Sequence, residues 1–202
     1  MRFRRRASLA PHRLAVLPAA FHPPTVAHLA LAEAALSFDE ADEVALVLPA
    51  EFPHKRYETV SPEDRLEMLE LAAAADPRFS VAVSEGGLFL EIARECRAAY
   101  GGHTRIRFLC GRDAAERIVN WDYGDAPPIA RQLEEYELLV APRDGLYVPP
   151  PALAARISPL ALSEDFSPVS SSEVRRRIKE RGDWRTLVPD PIIPRVAALY
   201  GH

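Results

Sequence analysis

The sequence predicts an α/β fold, a mostly parallel sheet with helices on both faces. Three observations carry this reading. Short apolar runs alternate with longer helical patterns along most of the chain. The runs are rich in Val, Leu and Ile, and proline or glycine closes several of them, as in strands buried on both faces. Strands separated by helices need crossover connections, and these make neighbouring strands parallel. At 202 residues the chain can bury one sizeable core, and it shows neither an internal repeat nor a stretch long enough for a domain linker.

The elements follow in order. Leu14 to Leu17 reads as the first strand, and Val26 to Leu36, rich in Ala and Leu, as the first helix. Glu43 to Leu48 is a second strand ended by Pro49. Ser61-Pro62-Glu63-Asp64 starts a helix that runs to Ala75: Ser as N-cap, Pro at the first helical position, acids in the first turn. Phe79 to Val83 alternates as a third strand, and Leu88 to Ala99 is an amphipathic helix stopped by Gly101-Gly102. Ile106 to Cys110 is a fourth strand, followed at once by a helix through Val119. Leu138 to Ala141 is a fifth strand and Ile157 to Leu162 a sixth. A basic helix from Ser171 to Arg181 and a short one from Pro194 to Tyr200 complete the pattern. The Pro-rich segments at 126–128 and 148–151 read as surface loops.

Composition excludes some functions. A chain 48% hydrophobic and 27% charged, with a net charge of −4, lacks the basic excess of a general nucleic-acid binder. Cys96 and Cys110 form no CxxC pair, which argues against a disulfide framework or cysteine zinc site and for free thiols in a reducing cytoplasm. No apolar run is long enough to span a bilayer. The basic start, with His12 and Arg13 interrupting any apolar stretch, reads as a flexible arm over residues 1–12 rather than a targeting segment, with a single domain over 13–202.

Two segments near opposite ends carry the chemistry. Phe21-His22-Pro23-Pro24-Thr25-Val26-Ala27-His28 lies between the first strand and first helix, and Ser170-Ser171-Ser172-Glu173-Val174-Arg175 opens the basic helix. Loop-to-helix junctions present free N–H groups to phosphate. Thr25 and His28, three apart, share a helix face where hydroxyl and imidazole can donate to one phosphoryl group. Read alone, Thr25 is equally an N-cap and His28 a buried polar residue. The serines expose N–H groups to phosphates, and Arg175 offers a bidentate contact, whereas Arg176 and Arg177 face solvent. Asp113, at a strand end, suits a ribose hydroxyl or a helix N-terminus, and Trp121 suits a stacked base or the core. Read alone, Lys55 is a surface lysine.

These segments resemble the HxGH/TxxH and ISSTxxR motifs of the nucleotidyltransferase superfamily. Over nearly its whole length the chain resembles the bacterial nicotinate/nicotinamide mononucleotide adenylyltransferases. Phe21, Pro23, Thr25 and His28 match the first motif; Pro53-His54-Lys55 resembles a basic loop, and Arg65-Leu66-Glu67-Met68-Leu69 the helix after it. Gly111-Arg112-Asp113 resembles a GxD strand end, Trp121 falls where the family has a Trp near the pyridine ring, and Leu139 to Gly145 matches a further strand and loop. The resemblance implies a Rossmann-like three-layer sandwich of the nucleotidyltransferase type. It implies adenylyl transfer from ATP to the mononucleotide in NAD biosynthesis, with Mg²⁺ carried by ATP. His28, Thr25, Lys55 and Arg175 would be catalytic. Ala19, Ala20, Phe21, His22, Gly111, Asp113, Ser170, Ser171 and Ser172 would hold the nucleotide, and Gly87, Trp121 and Arg143 the acceptor. Small-molecule substrates are the expected partners, without nucleic acid or membrane, and self-association stays open. The chain departs from the family in four places, one of them Ala27 where the HxGH form has Gly, a position at which the TxxH form tolerates a side chain. Pro18-Ala19-Ala20 replaces a glycine turn, His22 replaces Asp or Asn, and the segment at Gly86-Gly87-Leu88-Phe89 lacks a Tyr-Thr pair. His22 is the nearest donor to replace the lost turn contacts. Another acceptor, CTP in place of ATP, or a nucleotide-binding homologue without catalysis are the alternatives.

Overall fold

A computed structural model describes residues 1–7, 11–38, 40–50, 60–143 and 145–201. A seven-stranded sheet has the order β1-β4-β3-β2-β5-β6-β7. Its strands are β1 (Arg2–Arg5), β2 (Arg13–Pro18), β3 (Glu43–Pro49), β4 (Phe79–Ser84), β5 (Arg105–Gly111), β6 (Glu137–Ala141) and β7 (Ile157–Pro159). All neighbouring pairs are parallel except β1 with β4. The helices are α1 (Val26–Ser37), α2 (Pro62–Ala73), α3 (Phe89–Tyr100), α4 (Arg112–Val119), α5 (Ile129–Gln132), α6 (Ser171–Lys179) and α7 (Ile193–Tyr200).

The period of two along each strand divides the core. Ala15 and Leu17 of β2, with Leu46 and Leu48 of β3, face α1 and α2. Leu14 and Val16, with Ala45 and Val47, face α3 and α4. The second side of α2, through Met68 and Ala72, packs on Val174 of α6 and Val196 of α7. Ser61 caps α2 as its sequence indicates, its Oγ accepting from Asp64 N at 3.1 Å. Cys96 and Cys110 are free and buried, and no helix of the described residues is long and apolar enough to cross a membrane.

The basic start differs from its expectation. Instead of a flexible arm, residues 2–5 form an antiparallel edge strand on β4. Phe3 meets Tyr100 edge-on at 5.6 Å, and Arg5 donates to the Phe79 carbonyl at 3.2 Å. A start this dense in arginine gives no apolar run to read, yet charged side chains suit an edge strand because they discourage pairing with another chain. Smaller differences remain: β7 is shorter than Ile157 to Leu162, α2 stops at Ala73 and α6 at Lys179, and α5 joins the pattern.

Candidate active site

The sheet order places β2 beside β5 at the centre. The helix after β2 packs on one face and the helix after β5 on the other. A crevice therefore opens beyond the carboxyl ends of β2 and β5, where open α/β sheets bind ligands. A cavity of about 400 Å³ lies there. Pro18, Ala19, His28, Gly87, Gly111 and Trp121 all line it, with Phe89, Leu109 and Ile118 among its apolar walls. One cavity thus gathers residues expected at the catalytic, nucleotide and acceptor positions.

His28 is set by its own helix start. Thr25 is the N-cap of α1 and His28 its third residue. The Thr25 N–H donates to His28 Nδ1 at 3.0 Å. A backbone amide can only donate, so Nδ1 accepts and the neutral ring carries its proton on Nε2. The Thr25 hydroxyl lies 2.8 Å from the same Nδ1. Thr25 is fully buried, so its hydroxyl faces the imidazole and not the cavity. The shared donor face expected for Thr25 and His28 is therefore corrected: the Thr25 hydroxyl lies against the imidazole, and of the two only His28 lines the cavity. Burial lowers the His28 pKa to about 4, which leaves the ring neutral, with Nε2–H as a donor, near pH 7. The Phe21 ring packs on it at 5.0 Å.

The loop between β2 and α1 is held from several sides. Ala19 N–H donates to Val47 O at 3.1 Å, which engages one amide of the turn, and Pro18 supplies none. Phe21 takes a φ of 45°, a left-handed conformation, and its buried ring anchors the turn. Arg65 of α2 donates to Ala20 O at 3.1 Å. Arg175 and Ser171 of α6 donate to His22 O at 2.5 Å and Pro23 O at 2.7 Å.

His22 itself is only 4% exposed, and its Nδ1 lies 2.6 Å from the Tyr200 hydroxyl of α7. Burial, with Arg175 and Arg65 nearby, lowers its pKa to about 4. This overturns the expectation of a phosphate donor: the ring fastens the loop to α7 and is turned away from solvent. α7 is in turn tied to α2 by Arg195, which reaches Asp64 at 2.7 Å and Glu67 at 2.5 Å.

The three serines take separate parts. Ser170 Oγ caps α6, accepting from Glu173 N at 3.1 Å. The Ser171 hydroxyl goes to the loop, and Ser172 is exposed, accepting from Arg175 Nη2 at 3.2 Å. Ser171 and Ser172 are the first two residues of α6, where N–H groups have no partner within a helix. Arg176 and Arg177 both pair with Glu173, which holds that carboxyl at about 2. Asp113 and Arg143 face each other at 3.6 Å. Trp121 is 42% exposed on the cavity wall and is not core. Lys55 lies outside the described residues. Sequence reasoning missed Arg65 as a loop clamp, Tyr200 as the partner of His22, and Arg117 on the cavity wall. The spacing of Arg117 and Trp121, one helical turn apart, was the available signal for Arg117.

Comparison with known proteins bears on the fold and the family. The family model described as "Cytidylyltransferase-like" matches residues 16–177. The "Probable nicotinate-nucleotide adenylyltransferase" of Bordetella pertussis is 36% identical, covering 92% of this chain and 95% of its own. A protein of the same name from Thermus thermophilus is 33% identical, over 88% and 92%. Among solved structures, the Plasmodium falciparum nicotinic acid mononucleotide adenylyltransferase complexed with NaAD shares the fold, with a TM-score of 0.71, 14% identity, and coverage of 93% of this chain and 98% of that one. The chain belongs to the cytidylyltransferase-like family, and within it to the nicotinate-nucleotide adenylyltransferases.

Proposed function

We propose that the protein joins ATP to nicotinate mononucleotide, or its nicotinamide counterpart, giving the dinucleotide and pyrophosphate in NAD biosynthesis. The observation that carries this reading is the imidazole of His28, locked with Nε2–H as donor in a cavity whose loop is bound to the start of α6. An acceptor phosphate oxygen attacks the α-phosphorus of ATP in line, the bond to the β-phosphate oxygen breaks, and pyrophosphate leaves. No side chain forms a covalent bond. Catalysis is positioning plus stabilisation of charge on the phosphoryl oxygens.

His28 serves the α-phosphoryl group. Arg175 and the Ser171 and Ser172 amides serve the departing pyrophosphate, and Lys55 the acceptor side. The apolar walls and Trp121 suit a flat pyridine ring. Asp113 and Arg143, paired with each other, suit ribose and acceptor contacts. Among the described residues no group of three or more His, Cys, Asp or Glu side chains is placed to hold a metal. Mg²⁺ in this reading arrives on the ATP phosphates and keeps most of its waters. We place the reaction in the cytoplasm, in keeping with the two free thiols.

Nucleotide binding without catalysis is the second reading, favoured by the engaged Ala19 amide and by Pro18. Pyrophosphate release from purified protein, with ATP or CTP against each mononucleotide and phosphopantetheine, separates the two. Release only with ATP and a pyridine mononucleotide is expected. ATP binding without release for any pair would leave the second reading.

A further inference from the structure

Among the described residues the cavity wall is apolar almost throughout, with Arg117 its one charged side chain, and the His28 ring beside it is neutral near pH 7. Arg117 lies on α4 one turn before Trp121, and both face the cavity. The other cations on this bank are matched: Arg112 pairs with Glu116 at 2.8 Å and Arg143 with Asp113 at 3.6 Å. Arg117 has no ion-pair partner among the described residues. An aromatic ring seated against Trp121, Phe89 and Ile118 would carry its substituent into reach of a guanidinium that lacks a carboxylate.

The geometry points to Arg117 as the residue that selects an acceptor whose aromatic ring bears a carboxylate over one bearing a carboxamide. The inference rests on the proposed adenylyl transfer and names its acceptor. A carboxylate gains a charge-assisted hydrogen bond from the guanidinium, and a neutral amide gains far less. Asp113 and Glu116, the acids nearest in sequence on α4, are each held by another arginine, so they do not cancel the charge.

The test compares wild type, Arg117→Gln and Arg117→Lys. Binding of nicotinate and nicotinamide mononucleotide is measured by calorimetry, and kcat/KM for each is measured with ATP. Wild type is expected to prefer the carboxylate. Arg117→Gln lowers that preference ratio roughly tenfold or more, and Arg117→Lys retains part of it because the charge remains. Arg117 also sits in the last turn of α4, where a cation complements the helix dipole. That role shifts the melting temperature without changing the ratio. An equal loss for both mononucleotides, or an unchanged ratio, overturns the inference while leaving adenylyl transfer standing. Binding that prefers the carboxylate through Arg117, with no turnover of either mononucleotide, keeps the inference and removes the transfer reading.

Discussion

Replacing His28 by Ala removes the one imidazole that the described residues present to the cavity. The ring's proton sits on Nε2 because Nδ1 accepts from the Thr25 amide at 3.0 Å. A preorganised donor of this kind is worth about 2.7–4 kcal/mol in a transition state. His28→Ala should therefore lower kcat by roughly 10²–10³-fold, with little change in the KM for ATP if the contact forms mainly in the transition state. Near pH 6.5 an unperturbed imidazole is about half protonated. With its pKa at about 4, the His28 ring is less than about 1% protonated there. Wild-type kcat should then show no step from His28 between about pH 5 and 8. Below that window, protonation turns Nδ1 into a donor facing another donor. The assay is steady-state pyrophosphate release across pH for both proteins, with circular dichroism as the check on folding. A folded His28→Ala enzyme that keeps kcat within about threefold of wild type would refute the donor role. A wild-type step near pH 6.5 that disappears in the mutant would refute the neutral ring.

Three further outcomes follow from the same geometry. Arg175→Lys should raise the KM for ATP roughly tenfold, because lysine cannot donate to the His22 carbonyl and a phosphate in one planar fork, while Arg177→Lys, which alters a pair with Glu173, leaves it unchanged; equal KM values for the two variants would remove Arg175 as the clamp. Tyr200→Phe strips His22 Nδ1 of its 2.6 Å partner and should cost about 1–3 kcal/mol of stability by denaturant titration, with a rise in the KM for ATP as the loop loosens; an unchanged melt and KM would show that the hydroxyl does not hold the loop. Stability should be full above about pH 6.5 and fall as pH drops toward 4, because unfolded His22 and His28 take up protons near 6.5 whereas the folded rings resist to about 4; a chemical melt flat across that window in His22→Asn/His28→Asn but sloped in wild type is the expected pattern, and the same slope in both would assign it to other groups.

The core strands were legible because each is a short apolar run with a clear stop. Glu43 to Pro49 is buried at every position, and proline ends it by removing a ladder donor. Ser61-Pro62 marked the start of α2 through capping chemistry that needs only neighbours in sequence. β1 was not legible, since its stability comes from β4 and from contacts with Tyr100 and Phe79 far along the chain. The same division runs through the site. Thr25 and His28 could be paired by spacing, but spacing does not show which atom faces which. His22 looked like an exposed donor because its partner Tyr200 is 178 positions away.

By itself the sequence determined the alternation of strands and helices, the two loop-to-helix motifs, and so a nucleotide-handling α/β protein. These are written in local periodicity and capping, which act over a few residues. Only the tertiary structure decided that the Thr25 hydroxyl lies against the His28 imidazole, that His22 is buried against Tyr200, and that Arg117 lines the cavity. Those outcomes depend on which side chains distant segments bring together. Burial and hydrogen-bond partners set the protonation and direction of an imidazole, and neither is encoded in the identity of the residue or in its neighbours along the chain.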